Sequence, residues 1–181
     1  MPGATLFLMV GLPGSGKTTR ARELATAHDA LRLTPDEWHL PLFGTSLTAD
    51  GKRDGLEGWL ITIALRTLRL GTSVVLDFGL WGRDERSALR RMASEAGAAC
   101  HVVYLPVQLE DQLTRIAERE AAAPGEYFAM PEDAVVAWRA KFHVPDAAEL
   151  SGEDDPDPPP GWDTWHEWAV DRWPTLATDY Y

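Results

Sequence analysis

The chain has 181 residues, of which 45% are hydrophobic and 25% charged, a composition typical of a soluble globular domain. Its 17 basic and 28 acidic residues give a formal net charge of −11, which argues against a nucleic-acid coat or an anionic membrane surface as the main partner. The single cysteine, Cys100, excludes an intramolecular disulfide and a thiolate metal cluster, so a reducing cytoplasm is the expected location. No apolar run is long enough to predict a membrane helix.

The first half of the chain predicts two strands and the helices that follow them. The continuous apolar run Thr5–Val10 suits a strand that is buried on both faces. A glycine-rich turn follows it, and then a predicted helix over residues 17–28. A short second strand is predicted over residues 30–33. The next helix is expected to begin at Thr34, with Glu37 as its partner in a capping box.

The second half continues the same alternation. Helices are predicted over residues 55–70, 84–96, 108–123 and 131–142, and strands over residues 73–76 and 100–105. Strands that alternate with helices predict a parallel sheet with helices on both faces, which is a three-layer α/β fold. Ligands of such sheets bind at the carboxyl ends of the strands.

The last thirty residues differ in composition from the rest. We expect one domain over residues 1–150, followed by an acidic, proline-rich loop or linker over residues 151–161. Residues 151–181 hold eight acids and one base, Arg172, so residues 1–150 keep a net charge of only −4. An anionic substrate site in the body of the protein is therefore not excluded by the overall charge.

Residues 162–181 are expected to form a short helix docked on the same domain. Four tryptophans lie close together there, and exposing them to water would be costly. Packing in the core is the main interpretation, and contact with a partner or ligand is the alternative. The four residues are Trp162, Trp165, Trp168 and Trp173.

The most specific motif follows the first strand. Residues 11–18 (GLPGSGKT) match the phosphate-loop pattern G-x-x-x-x-G-K-[ST], with a buried strand before it and a helix after it. Successive backbone N–H groups at a helix N-terminus form a nest for anions. Lys17 is expected to reach the β- and γ-phosphates of a nucleotide, and Thr18 to ligate Mg²⁺. The predicted nucleotide-binding residues are Gly11, Leu12, Pro13, Gly14, Ser15, Gly16, Lys17, Thr18 and Thr19.

This phosphate loop resembles that of the small P-loop kinases, the group of polynucleotide 5′-kinase, chloramphenicol phosphotransferase, zeta-toxin and gluconate kinase. The resemblance covers roughly residues 4–143. It implies a P-loop NTPase fold with a short lid, and ATP and Mg²⁺ as cofactors. It also implies transfer of a phosphoryl group to a hydroxyl.

The resemblance gives roles to two aspartates near strand ends. In these kinases an aspartate placed like Asp36 takes the proton from the acceptor hydroxyl. The alternative for Asp36 is an acid favoured by the helix dipole. Asp77 resembles a Walker B aspartate that holds Mg²⁺ opposite Thr18. Some relatives use this region to contact substrate instead. The structural alternative is an acid that caps the loop after the strand. His39 is a weaker candidate for the acceptor site, because a packed or surface histidine is the more common situation.

Basic and aromatic residues after Asp77 are further candidates for the acceptor site. The stretch containing Trp81, Arg83 and Arg86 is expected to face the acceptor pocket. An arginine there would fix an anionic substrate or the transferring phosphate, and Trp81 would stack on a planar substrate. Surface ion pairs within the first helical turn are the alternative.

Arg115 and Arg119 lie one helical turn apart, just before a predicted break at residues 124–125. They resemble the arginines of the kinase lid, which neutralise charge that develops on the γ-phosphoryl group. A solvated helix face with local ion pairs is the alternative. We therefore expect Lys17, Asp36, Arg119 and Arg115 to be the catalytic residues.

Together these features predict an ATP- and Mg²⁺-dependent phosphotransferase that acts on a hydroxyl of a small molecule. One alternative is a polynucleotide or nucleoside 5′-kinase, and the other is a nucleotide-binding regulatory ATPase or switch without a metabolite acceptor. The net charge makes nucleic acid the less favoured partner. We expect no membrane association, and a monomer or homodimer.

Overall fold

The computed structural model describes residues 3–44, 51–123 and 130–176, apart from the side chain of Leu40. Strands and helices alternate through this part of the chain as the sequence predicts. The elements are β1 (Thr5–Val10), α1 (Lys17–Ala27), β2 (Leu31–Leu33), α2 (Asp36–Phe43), α3 (Lys52–Arg69), β3 (Val74–Gly79), α4 (Arg83–Glu95), β4 (Ala99–Tyr104), α5 (Leu109–Ala122), α6 (Glu132–Lys141), α7 (Ala147–Ser151) and α8 (Trp165–Arg172).

The strands form one parallel sheet in the order β2-β3-β1-β4. At its carboxyl edge Leu33 pairs with Leu76, and Val10 pairs with Gly79, so β1, β2 and β3 end side by side. The segments that follow these three strands therefore emerge at the same edge. They are the glycine-rich turn, the start of α2 and the loop before α4.

The sheet is buried on both faces, and the two faces of β1 belong to different clusters. Leu6 and Leu8 lie in the larger cluster, whereas Phe7 and Met9 lie in the smaller one beside α1. This alternation follows from the two-residue period of a strand. With helices packed on both faces, the architecture has three layers.

The tryptophans at the end of the chain contribute to the larger cluster. Trp165 and Trp173 are buried in it, and Trp168 packs between them with edge-to-face contacts at 5.8 and 5.9 Å. The loop before α8 is held to it, because Trp165 Nε1 donates to the Pro156 carbonyl at 2.8 Å. Residues 153–159 have no regular secondary structure.

Two details differ from the sequence predictions. Glu37 does not close a capping box with Thr34, but forms ion pairs with Arg32 and, at 3.9 Å, with Arg22. The five-residue helix α7 was not expected, because it is too short to show a helical period. The predicted helix break at residues 124–125, and with it most of the predicted short lid, lies outside the described residues. None of the described helices is long and apolar enough to cross a bilayer.

Candidate active site

The turn after β1 forms a tight loop at the N-terminus of α1. Gly16 caps the helix with φ 92°, and Gly14 has φ 78°, both in the left-handed region that favours glycine. At Gly11 a Cβ atom would lie 2.7 Å from Ser15 Oγ and 2.9 Å from the Leu105 carbonyl oxygen, so no side chain fits. Ser15 Oγ is buried, and no described residue satisfies its hydrogen bond. A loop of this shape fits a bound phosphate group.

Lys17 is held at the mouth of this loop. Its Nζ atom donates to the Leu12 carbonyl at 2.8 Å. Burial lowers the pKa of Lys17 to about 8, and the neighbouring carboxylates of Asp77 and Asp36 oppose this effect. The ammonium group is thus poorly solvated until an anion binds beside it.

Asp77 lies inside β3 and is buried next to Thr18 and Arg32. It accepts hydrogen bonds from the Thr18 hydroxyl and from Arg32 Nη1, the latter at 3.1 Å. Burial raises the pKa of Asp77, although Lys17, Arg32 and Thr18 act in the opposite direction. The described residues contain no group of three or more His, Cys, Asp or Glu side chains that would hold a metal alone. The Thr18 and Asp77 pair fits an Mg²⁺ ion whose other ligands come from phosphates and water.

A cleft of about 710 Å³ joins the phosphate loop to the ends of β2 and β3. It brings together most of the residues singled out in the sequence, from four separate segments of the chain. Those lining it are Pro13, Gly14, Gly16, Lys17, Thr18, Thr19, Asp36, Asp77, Trp81, Arg115 and Arg119. Three further predicted residues of the loop, Gly11, Leu12 and Ser15, lie behind this surface.

Helix α5 is fastened directly to the phosphate loop. Gln112 is fully buried and donates to the Pro13 carbonyl at 2.9 Å, while its own carbonyl oxygen accepts from Arg139 of α6 at 2.8 Å. Arg115 donates to the Gly14 carbonyl at 3.2 Å. Arg119, one turn further along, contacts Met130 Sδ at 3.3 Å and is near enough to depress the pKa of Lys17.

Arg86 does not face the acceptor pocket, and the structure corrects this prediction. Its side chain is fully buried and donates to both carboxylate oxygens of Glu149, at 2.7 and 2.9 Å. A guanidinium group in the core needs such a partner, and the unforeseen helix α7 supplies it. Arg86 also donates to the carbonyls of Leu80, at 3.0 Å, and Trp81, at 3.2 Å. It therefore fixes the loop that carries Trp81, where Leu80 has a φ of 41°.

Two more predicted substrate residues lie away from the cleft. Arg83 forms ion pairs with Asp146 at 3.2 Å and Asp154 at 3.0 Å, because α7 and the loop after it cover the start of α4. His39 is only 1% exposed and packs against the ring of Phe43 at 5.1 Å, since it lies on the buried side of α2. Neither residue lines the cleft.

Arg53 is a cleft residue that the sequence reasoning missed. It pairs with Asp36 at 2.8 Å and with Glu57 at 3.0 Å, and so connects α2 to α3. Burial is the largest influence on Glu57 and raises its pKa. The four-residue spacing of Arg53 and Glu57 was the available signal, but the predicted helix began at residue 55 and left Arg53 out.

The C-terminal helix also supplies a cleft residue, Arg172. It pairs with Asp54 at 2.7 Å and with Glu85 at 2.8 Å. Next to it, Trp173 Nε1 donates to Glu57 at 3.1 Å. The signal in the sequence was that Arg172 is the single base in an otherwise acidic tail. Trp138 of α6, also missed, faces Trp81 across 6.0 Å between ring centroids.

A family model described as AAA domain matches residues 6–145, well over half of the chain. This chain belongs to that family. The fold and the phosphate loop agree with the resemblance to the small P-loop kinases, which is confirmed. No curated protein matches the chain significantly.

Solved structures share the fold at low sequence identity. A chain of the Pnkp1/Rnl/Hen1 RNA repair complex superposes with a TM-score of 0.67 and 21% identity over 78% of this chain, which spans only 44% of that one. Kti12 of Chaetomium thermophilum, in complex with ADP-AlF3, superposes with a TM-score of 0.62 and 19% identity. The match covers 95% of this chain and 99% of the Kti12 chain. The APS kinase CysC of Mycobacterium tuberculosis, in complex with AMPPNP and APS, superposes with a TM-score of 0.53 and 23% identity. The match covers 71% of this chain and 78% of the CysC chain. The predicted three-layer P-loop fold is thereby confirmed.

Proposed function

We propose that this protein is an ATP-dependent phosphotransferase that moves the γ-phosphoryl group of ATP to a hydroxyl of a small molecule. The observation that carries the proposal is that one cleft holds both the phosphate loop and Asp36. The two lie on either side of Asp77, since β3 separates β1 from β2 in the sheet. A nucleotide in the loop would therefore have room for an acceptor between its terminal phosphate and Asp36.

In this proposal Asp36 acts as the base for the acceptor. The acceptor oxygen attacks the γ-phosphorus as its hydroxyl proton passes to the Asp36 carboxylate, the new O–P bond forms, and the bond to the β-phosphate oxygen breaks to release ADP. The carboxylate then returns the proton to solvent. Asp36 suits this role because its side chain is 67% exposed in the cleft, while Arg53 holds it at 2.8 Å.

The phosphate end of the cleft would supply the positive charge that the reaction needs. Lys17 and Arg119 would neutralise charge on the transferring group, and Arg115 would support the loop through its bond to Gly14. Thr18 and Asp77 would hold Mg²⁺, which would supply positive charge to stabilise the phosphates during transfer. Each of these residues except Arg115 faces the reacting groups in the proposed arrangement.

A 5′-hydroxyl of a polynucleotide or nucleoside is the second candidate for the acceptor. The similarity to a chain of an RNA repair complex favours it at the level of the fold. A regulatory ATPase or switch is the third candidate. It is retained because the chain shares its fold over almost the full length with Kti12, whose structure contains ADP-AlF3. It differs from the other two in needing no base at Asp36.

The substitution Asp36→Asn tests the proposal. It keeps the size of the side chain but removes its basicity, so transfer should fall roughly a hundredfold or more while ATP still binds. The acceptor is first found by offering labelled ATP with metabolites, antibiotics and 5′-hydroxyl oligonucleotides. Transfer and ATP affinity are then measured for each variant in parallel.

A matched control is Glu23→Gln, which removes a carboxylate from the exposed face of α1, where it pairs with Arg20. It should transfer phosphate like the parent. Parental transfer by Asp36→Asn would refute the proposed base. ATP hydrolysis that no acceptor stimulates and that Asp36→Asn leaves unchanged would support the regulatory ATPase instead.

A further inference from the structure

The cleft is divided into two ends of opposite charge. At the phosphate end, the described lining residues include three basic side chains, Lys17, Arg115 and Arg119, and one carboxylate, Asp77. At the other end, among the described lining residues, carboxylates outnumber guanidinium groups by four to two. The acids are Asp36, Asp54, Glu57 and Glu85, and the bases are Arg53 and Arg172.

Both arginines at the acidic end are already occupied by carboxylates of the protein. Arg53 contacts Asp36 and Glu57, at 2.8 and 3.0 Å. Arg172 contacts Asp54 and Glu85, at 2.7 and 2.8 Å, and lies 3.9 Å from Glu57. Neither guanidinium group therefore offers uncompensated positive charge to an anionic acceptor. The arginines expected to bind an anion there, Arg83 and Arg86, are paired elsewhere in the fold.

The carboxylates at this end differ in how far they reach the solvent. Glu57 and Glu85 are largely buried by their partners, at 8% and 17% exposure, whereas the side chains of Asp36 and Asp54 are 67% and 42% exposed. Asp36 and Asp54 are each paired with an arginine, but four carboxylates against two guanidinium groups leave this end of the cleft with a formal excess of negative charge, and these two side chains are its exposed part. An incoming anion would be repelled, and an incoming cation attracted.

A pair of aromatic rings lines the same cleft. Trp81 and Trp138 lie 6.0 Å apart with their planes at 46°, and both side chains are partly exposed. Tryptophan is the side chain that best attracts a cation over its ring face. The ring pair and the exposed carboxylates are independent features that favour the same kind of ligand.

We infer that the acceptor is a hydroxyl-bearing amine, such as an amino sugar, that carries a positive charge at neutral pH. Its ammonium group is attracted by the charge of the acidic end and by the tryptophan faces that line the cleft, and its hydroxyl faces Asp36. The inference rests on the proposed phosphotransferase function and adds a substrate class to it. Charge would then orient both substrates, with the ATP phosphates at the basic end and the acceptor at the acidic end.

Two series of matched acceptors test the charge preference. The first is glucosamine, glucose and glucuronate, and the second is an aminoglycoside, a neutral trisaccharide and a 5′-hydroxyl trinucleotide. Transfer from labelled Mg·ATP is measured as kcat/KM for each compound. The amine should exceed the neutral compound of its series by roughly tenfold or more, the scale on which a charged cleft concentrates a counter-ion.

Variants then locate the effect. Asp54→Asn and Trp138→Leu should each lower the ratio of kcat/KM for the amine to kcat/KM for the neutral compound by at least roughly threefold. Because both values come from the same variant, a general loss of activity cancels in this ratio. The control Asp84→Asn removes an exposed carboxylate of α4 that does not line the cleft, and it should keep the parental ratio.

The outcomes separate this inference from the proposed function. Transfer that favours the neutral or anionic member of both series overturns the amine assignment and leaves the phosphotransferase standing. An amine preference that survives both cleft variants also overturns it. If ATP is hydrolysed but phosphate reaches no compound of either series, the inference falls together with the proposed function.

Discussion

Lys17 illustrates how a single side chain is prepared for its ligand. Its ammonium group donates to the Leu12 carbonyl, and partial burial lowers its pKa to about 8. Bound phosphates would add negative charge beside it and so raise that pKa. Binding of ATP should therefore be linked to the protonation of Lys17.

We expect the affinity for Mg·ATP to be nearly constant below pH 7.5 and to weaken as the pH rises through about 8, by up to roughly tenfold per pH unit. The affinity weakens at high pH because Lys17 has the higher pKa in the bound state, so that binding above pH 8 requires uptake of a proton. Calorimetry between pH 7 and 9.5, in buffers of different ionisation enthalpy, measures both the affinity and the proton uptake.

The control for this prediction is Lys17→Arg, whose guanidinium group stays charged over the whole range. This variant should bind Mg·ATP more weakly, and its affinity should not change with pH. An affinity of the parent protein that does not change between pH 7 and 9.5 would show that the Lys17 ammonium does not contact the phosphates.

At this scale the sequence predicted the local parts of the site and missed the distant ones. The phosphate loop is one short segment whose glycines, lysine and threonine can be recognised together. Arg172 and Asp54, by contrast, meet through an ion pair between residues 118 positions apart. Arg86 misled the prediction for the same reason, because its partner Glu149 belongs to a helix too short to predict.

Among the elements, α7 has an influence larger than its five residues suggest. Its Glu149 is 2% exposed and binds the fully buried Arg86 of α4, which in turn holds the loop carrying Trp81. Most strands and helices could be predicted to within a few residues, because hydrophobic periodicity is a local property. The buried ion pair of Arg86 and Glu149, which joins α4 to α7, could not be predicted in this way.

We expect Arg86→Met to destabilise the protein by about 3–5 kcal/mol, because it leaves the Glu149 carboxylate buried without its cation. Urea unfolding measures the loss. The double variant Arg86→Met/Glu149→Leu should recover most of it, since an apolar pair of similar volume needs no desolvation of charge. If the double variant is no more stable than Arg86→Met, the ion pair is not the source of the effect.

For the molecule as a whole, the C-terminal helix belongs to the same structure as the cleft. Trp173 is completely buried in the main core, and its indole N–H donates to Glu57 at 3.1 Å. Glu57 then contacts Arg53, which holds Asp36. A continuous set of contacts thus runs from the core of the protein to the proposed base.

We expect Trp173→Phe to slow phosphate transfer and to lower stability by about 1–3 kcal/mol, because Glu57 loses a buried donor while an aromatic ring stays in place. The pKa of Glu57, already raised by burial, would rise further. Steady-state kinetics with the identified acceptor and urea unfolding measure the two effects.

Trp165→Phe is the matched control for this variant. It loses a similar hydrogen bond, from Nε1 to the Pro156 carbonyl at 2.8 Å, at the opposite end of α8 and away from Glu57. Its stability should fall comparably while the kinetics stay parental. Equal kinetic losses in both variants would mean that α8 acts only through general packing.

The late position of Arg172 and Trp173 in the chain has a consequence for folding. Both follow the phosphate loop by more than 150 residues, and Trp173 is completely buried in the main core. Because a domain generally folds as a unit, the core can close only after this segment has been synthesised. The nucleotide end and the acceptor end of the cleft are therefore expected to form in the same folding event. A chain cut before α8 would lose both the ion pair of Asp54 and the indole donor to Glu57.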